Sequence, residues 1–199
     1  MTHLKTTFAA VVMVLGSVSS FAQVREIRFV EYSAKFLCGV NENPKPGAAP
    51  VRPGIYETSI NIHNPQLPLN PLPSVTFVKK VALAPPEPRE DEKLVPPSKF
   101  RVDKLPADFA EHVDCRIIRE MLGPNGTAPF IEGFVVLIVL PSPITTPHEL
   151  DVVGVYTVDT PGNPAQSISL EVVPITPRIV TLPLAAGRQM QEKMMQEGK

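Results

Sequence analysis

The sequence has no tryptophan, two cysteines and almost no net charge, and each of these shortages excludes a class of protein. With 19 lysines and arginines against 20 aspartates and glutamates, the chain lacks the basic surface that binds nucleic acid or anionic lipid. Two cysteines are too few for a disulfide-rich scaffold or for a four-cysteine zinc site. Hydrophobic residues make up 43% of the chain, too many for disorder throughout. The composition therefore predicts one globular domain without a nucleic-acid partner.

The first 22 residues have the three-part pattern of a secretory signal peptide. Lys5 supplies a positive charge, and Phe8–Leu15 is an unbroken apolar run of eight residues. Ser20 and Ala22 are small, as the signal peptidase requires before its cleavage point. The run is less than half the ~20 apolar residues that a membrane-spanning helix needs. We therefore predict cleavage after Ala22, a secreted or periplasmic location, and no transmembrane span.

The chain is unusually rich in proline: it has 24 prolines, and they occur in clusters. Because proline cannot donate to a β ladder and disfavours helix before it, the clusters mark boundaries between elements. The segments between the clusters are rich in β-branched and aromatic residues. Eight candidate strands result: Glu26–Cys38, Gly54–Asn64, Ser74–Leu83, Ala107–Ile117, Phe130–Leu140, Glu149–Asp159, Ser167–Val173 and Arg178–Leu182.

The residue pattern inside these segments predicts an all-β fold. Alternation of apolar and polar residues in the first three segments is typical of half-buried strands, whereas the apolar run of Phe130–Leu140 is typical of a central strand. The connections are too short for the crossover helices of a parallel sheet. We predict an antiparallel two-sheet β-sandwich of seven or eight strands with long proline-rich loops, a small closed or partly open barrel being the alternative.

The helical content is predicted to be low. At most one short helix is expected, and Arg116–Leu122 could form it in place of the end of the fourth strand, because Gly123 and Pro124 would end it. The domain organisation is then a signal peptide at 1–22, a single domain at 23–183, and a flexible or weakly helical tail at 184–199. The tail has good helix formers but no clear apolar stripe, and an isolated helix of its length is marginal in water.

The two cysteines form the main candidate covalent feature. Cys38 and Cys115 both fall on apolar strand faces, and an even number of cysteines in an exported chain suggests a disulfide. The bridge would close a loop of about 78 residues and stabilise the fold by ~4 kcal/mol in the chain-entropy account. The alternative is two separate buried thiols.

No complete catalytic or metal-binding constellation is present. His112 and Cys115 have the spacing of a metal-ligand pair, and Cys38 and His63 could complete a set of four, but an extended strand would point His112 and Cys115 to opposite faces. No serine lies in a nucleophile elbow, and no glycine-rich phosphate loop or calcium loop occurs. We therefore expect no catalytic residues, no metal site and no cofactor.

Carboxylates and the remaining histidines have simpler interpretations. Asp151 and Asp159 flank the sixth predicted strand and Glu132 opens the fifth, but without tryptophan the aromatic platform of a sugar-cleaving site is poorly supplied. His148 lies in a proline-rich loop. We expect these side chains to be solvated groups at strand ends.

Three stretches together resemble a group of small exported bacterial proteins of uncharacterised function. They are Tyr32–Gly39 (YSAKFLCG), Gly54–Pro65 (GIYETSINIHNP) and Leu150–Thr157 (LDVVGVYT). The resemblance covers most of residues 30–175. It implies a bacterial exported domain and carries no functional residues.

Three functions remain open, and the first is favoured. The chain could be an exported non-enzymatic binding or structural domain, whose ligand the sequence does not identify and whose loops or edge strands hold a partner. For that binding domain, Lys79 and Lys80 mark the third segment as one candidate edge for strand addition. The chain could also be a subunit of an extracellular assembly, joined through an edge strand or an apolar patch. It could instead be a secreted hydrolase that uses His63 or His112 with nearby carboxylates.

Overall fold

A computed structural model describes residues 26–42, 51–68, 74–84, 94–141, 148–159 and 168–198 of the chain. The predicted signal peptide at 1–22 and the predicted turn at 161–164 lie outside these ranges. The strands are β1 (Glu26–Asn41), β2 (Gly54–His63), β3 (Ser74–Leu83), β4 (Arg101–Pro106), β5 (Ala110–Asp114), β6 (Phe130–Val139), β7 (Asp151–Asp159), β8 (Ile168–Pro174) and β9 (Arg178–Pro183). The helices are α1 (Cys115–Leu122) and α2 (Leu184–Glu197), and a 3₁₀ turn, Gly123–Gly126, follows α1.

All described strand pairs are antiparallel, in the order β4-β3-β6-β1-β2-β7-β8, with β9 beside β1 and β5 beside β2. β1 and β2 pair over three residues only, Gly39–Asn41 with Gly54–Tyr56. Elsewhere along the same edges, β1 pairs with β9 and β2 pairs with β5. The sheet therefore branches into a first strand group, β4-β3-β6-β1-β9, and a second strand group, β5-β2-β7-β8. It does not close, so the closed-barrel alternative is wrong.

The larger hydrophobic core takes side chains from both strand groups. Alternate residues of β1, among them Tyr32 and Phe36, share this core with Ile60 of β2, Phe77 of β3 and Val135 of β6, all fully buried. This alternation follows the period-two pattern that predicted the strands. A smaller core on the opposite face of the first strand group lies under α2.

A tyrosine joins the two strand groups inside the larger core. The Tyr32 hydroxyl donates to the carbonyl of Leu150 at 2.8 Å and accepts from the amide of the same residue at 2.7 Å. Leu150 lies just before β7 and is itself buried. A single side chain thus pairs both backbone polar groups of a residue that water does not reach.

Replacing Tyr32 by phenylalanine should lower the free energy of unfolding by about 1–3 kcal/mol, because two buried backbone groups lose their partner. Burial raises the pKa of Tyr32 above its ordinary value of 10.0. The folded chain then holds a proton that the unfolded chain releases, so wild-type stability should fall as pH rises above about 10. Urea unfolding measures the free energy of unfolding of both proteins at neutral and alkaline pH. The difference between wild type and variant should become smaller as pH rises, and a difference that does not change with pH would contradict this.

Helix α1 begins one residue before the predicted Arg116 and ends, as predicted, before Gly123. The Asp114 carboxylate accepts the amide of Ile117 at 2.8 Å and caps the N-terminus, and the helix ends at Gly123. Arg119 then fixes the turn that follows. Its guanidinium donates to four backbone carbonyls, those of Cys38, Gly126, Ala128 and Pro129.

Several predictions of the fold need correction. The described residues form nine strands rather than seven or eight, because Arg101–Pro106 forms β4 and the predicted fourth strand divides into β5 and α1. The same part of the chain contains two α-helices rather than at most one. Residues 184–197 form α2, where a flexible or weakly helical tail was expected; Met194 is buried, and Gly187 lies so close to Ile27 that a β-carbon would collide with it.

The third segment is not an edge, contrary to the prediction from its lysine pair. β3 lies between β4 and β6, and Lys79 is only 4% exposed. Its ammonium group is 2.8 Å from a carboxylate oxygen of Asp103 on β4 and 2.9 Å from one of Glu111 on β5. These two carboxylates balance the buried charge, and Glu111 brings the second strand group into contact with the first.

Candidate functional site

His63 and two aspartates meet at one end of the second strand group. His63 ends β2 and pairs with Asp151, the first residue of β7, so that its Nδ1 lies 3.2 Å from the Asp151 carboxylate. Its Nε2 lies 3.5 Å from Asp108 in the turn between β4 and β5. Asp108 has a φ of 61° and is the only non-glycine residue with positive φ in the described ranges. His63 is a candidate that the sequence predicts, whereas Asp108 is not, because its contact with His63 depends on this turn.

This cluster is poorly suited to catalysis. A general base needs an unoccupied ring nitrogen that can take a proton from the substrate, whereas both nitrogens of His63 face carboxylates. The two nitrogens also point in opposite directions, so the two aspartates cannot join His63 around one metal ion. No group of three or more potential metal ligands occurs among the residues that the structure describes. The cluster connects the end of β2, the start of β7 and the turn between β4 and β5 at the surface.

The other candidate residues are dispersed. His112 lies on β5 with its side chain 60% exposed, and its nearest carboxylate is that of Asp114 at 3.9 Å. Cys38 and Cys115 form a disulfide with Cα atoms 5.5 Å apart, so the predicted bridge is confirmed. The disulfide leaves neither sulfur available as a thiolate for metal binding or nucleophilic attack.

A shallow concavity of about 310 Å³ lies beside the disulfide on the second strand group. The Thr58 amide at its base donates to the Cys115 sulfur at 3.2 Å. The Thr58 hydroxyl is used internally, because it bonds to both backbone groups of Leu37. The wall is formed by Glu57, Thr58, Ser59, Asp114, Cys115, Arg116, Val155 and Thr157. We call this concavity the notch.

A second concavity, of about 390 Å³, lies between the segment before β4 and helix α2. Three lysines line it, but two of them have partners within the chain. Lys80 lies over the ring of Phe100 at 5.0 Å, and Lys193 is 3.8 Å from Glu197. The Glu197 carboxylate offsets the charge of Lys193, whereas the Phe100 ring is uncharged, so Lys80 and Lys99 supply the positive charge at this concavity.

The two strand groups differ in what covers their outer faces. The outer face of the first group is covered by α2, which buries Phe29, Val78 and Ile138 with Met194. No described element covers the outer face of the second group. We call this surface the bare face, and it carries the outward-pointing residues of β5, β2, β7 and β8, including His63, the notch and an apolar row.

The apolar row runs along the β7 and β8 side of the bare face. Leu170 and Val172 of β8 are 63% and 58% exposed, and they pair with Thr157 and Val155 of β7. Val153 lies further along the same face of β7 and is half-buried. Singly exposed apolar residues are common, but an aligned row on an uncovered sheet face is typical of an interaction surface. The residue pattern predicts strand β8 but not its position at the end of the sheet.

The chain matches no model of a known protein family, no curated protein and no solved structure. The described helices include none that is both long enough and apolar enough to cross a membrane.

Proposed function

We propose that this chain is an exported, non-enzymatic binding domain that holds a protein partner on the bare face. One observation carries the proposal: two similar sheet faces differ in their cover. Helix α2 buries the apolar residues of one face, whereas Leu170 and Val172 remain 63% and 58% exposed on the other. Burying apolar area of this kind stabilises a complex by about 25 cal/mol per Å² before the costs of association.

The wider context supports this role. The branched sheet and the shared core support two packed layers, the arrangement of a β-sandwich, on which a binding surface can be held rigid. The disulfide is compatible with an oxidising compartment, and the predicted signal peptide with export. The resemblance in the sequence supports a bacterial exported protein.

The hydrolase alternative has one supporting observation, the convergence of His63 with Asp108 and Asp151. It requires a nitrogen directed at substrate, and both nitrogens face carboxylates instead. The assembly alternative shares its surface with the binding domain and differs only in whether the partner is part of a permanent complex.

A photo-cross-linking experiment tests the proposed surface. A benzophenone amino acid placed at Val172 of the full exported chain, irradiated in the cells that produce it, should give a discrete adduct with a partner. The same probe at Gln196 of α2, which is also exposed, should not give that adduct. Identical adducts from both positions, or no adduct from Val172, would contradict the proposal.

A further inference from the structure

We propose that β8 recruits an extended basic segment of another protein, which adds to its edge as an antiparallel strand; this rests on the proposed function and specifies the partner. In the described part of the chain, β8 pairs only with β7. Its other edge therefore presents backbone donors and acceptors. Strand addition uses such an edge for affinity and side chains for specificity.

The other edge strands carry protection that β8 lacks. β4 reads RVDKLP, with three charged residues and a terminal proline, and β5 has five residues, of which two are acidic and one is histidine. β9 contributes Val180 and Leu182 to the core under α2, so the helix lies beside it. In β8 (ISLEVVP), proline occupies the last position and Glu171 is the only charge. Short, charged or covered edges resist pairing. β8 has a single charge, is longer than β4 and β5, and has no described element over it, so it is the least protected of these edges.

One side of β8 specifies apolar residues in the partner. Leu170 and Val172 point to the bare face and continue the row of Val155 and Val153 across the sheet. An added strand that places apolar side chains opposite them extends this row by one strand. Directly opposed apolar pairs are the units that stabilise a sheet.

The opposite side of β8 specifies a basic residue. Glu171 lies between Leu170 and Val172, so its side chain points away from the bare face. It is exposed and opposes Tyr156, which supplies no positive charge. No described residue forms an ion pair with Glu171. A lysine or arginine in the added strand would supply the missing charge.

The same carboxylate disfavours a second copy of this chain as the occupant. A two-fold antiparallel pairing of β8 that places Leu170 opposite Val172 also places Glu171 opposite Glu171 of the other copy. Like charges directly opposite each other destabilise a strand pair. The edge therefore favours a segment that alternates apolar and basic residues.

Peptide binding to the purified full chain tests the proposal. The probe is a blocked, labelled peptide of about seven residues, a usual strand length, that alternates valine and lysine. The control peptide has glutamate in place of each lysine. Fluorescence anisotropy should show the lysine peptide binding at least about tenfold more tightly, a preference that shrinks as salt screens the charge. Equal binding, or no binding of either peptide, would overturn the proposal.

Charge reversal locates the site. Glu171→Lys should reverse the preference between the two peptides, whereas Glu192→Lys, the same charge change on exposed helix α2, should leave it unchanged. A lysine peptide N-methylated at alternate amides should lose at least about tenfold in affinity, because strand addition needs those donors. A reversal by both variants, or unchanged binding of the methylated peptide, would contradict strand addition at β8.

Two further results distinguish failure of this proposal from failure of the proposed function. Sedimentation velocity that shows wild-type dimers, abolished by Val172→Glu, would replace the basic segment with a second copy. A cross-linked partner at Val172 without a peptide preference would overturn the basic strand while leaving the bare face as a binding surface. If Val172 gives no cross-linked partner and neither peptide binds, both the bare face as a binding surface and strand addition at β8 are overturned.

Discussion

Replacing Lys79 by methionine should lower the free energy of unfolding by about 3–5 kcal/mol, the range for breaking a buried ion pair from one side. The lysine side chain is 6% exposed and its ammonium lies within 3 Å of the Asp103 and Glu111 carboxylates. Methionine fills a similar volume, so packing is largely retained. The loss arises because two neighbouring carboxylates, with side chains 21% and 28% exposed, lose the cation between them. Equilibrium unfolding in urea measures it.

Lys80→Met provides the matched control, because the next residue along β3 points to the opposite face. Lys80 lies over the ring of Phe100 and is only half-buried. Its replacement should cost less than about 1 kcal/mol. Adding Glu111→Gln to the Lys79 variant should recover part of the loss, since one unbalanced carboxylate disappears. Equal losses for the two lysine variants would show that the buried charge has no special role.

The elements that sequence reasoning predicted well are those with a strong local pattern. Alternation predicted β1, β2 and β3, and the apolar run predicted β6, which lies centrally between β3 and β1. Asp114 and Gly123 mark the ends of α1, the helical alternative for that segment. In each case the residues that decide the structure lie within the element itself.

The elements that were missed depend on contacts distant in sequence. β4 contains charged residues and a proline and resembles a loop, but it pairs with β3 and its Asp103 neutralises Lys79. Helix α2 lacks a clear apolar stripe, yet Met194 is buried between helix and sheet. A period-two pattern also cannot distinguish a central strand from an edge, and so the lysine pair of β3 suggested the wrong edge.

The candidate site was less predictable than the fold for the same reason. Leu170 and Val172 have the pattern of any half-buried strand, and their exposure follows from the absence of a described element over them. Asp108 reaches His63 only because its backbone has a positive φ in the turn before β5. The disulfide was predictable because both cysteines occupied apolar positions in a chain that the sequence predicts to be exported.

Removing the disulfide with Cys38→Ala and Cys115→Ala together should lower the free energy of unfolding by about 4 kcal/mol. The bridge spans 77 residues of sequence and joins the end of β1 to the start of α1, beside the short β1–β2 pairing. It restricts a large loop of the unfolded chain, which raises the free energy of the unfolded state. Urea unfolding of the variant should match that of the wild type in excess reductant, whereas a variant as stable as the oxidised wild type would contradict the prediction.

The two single variants should differ in thiol reactivity, because the two sulfurs lie in different environments. Cys38 is fully buried in the larger core, whereas Cys115 is half-buried and lines the notch. In Cys38→Ala, the remaining Cys115 thiol should be alkylated from the native state at a rate that depends little on urea. In Cys115→Ala, the remaining Cys38 thiol should react only through opening of the core, so its rate should rise steeply with urea. If the alkylation rates of the two variants depended similarly on urea, the core around Cys38 would open readily without the disulfide. The disulfide would then be needed to hold β1 against α1.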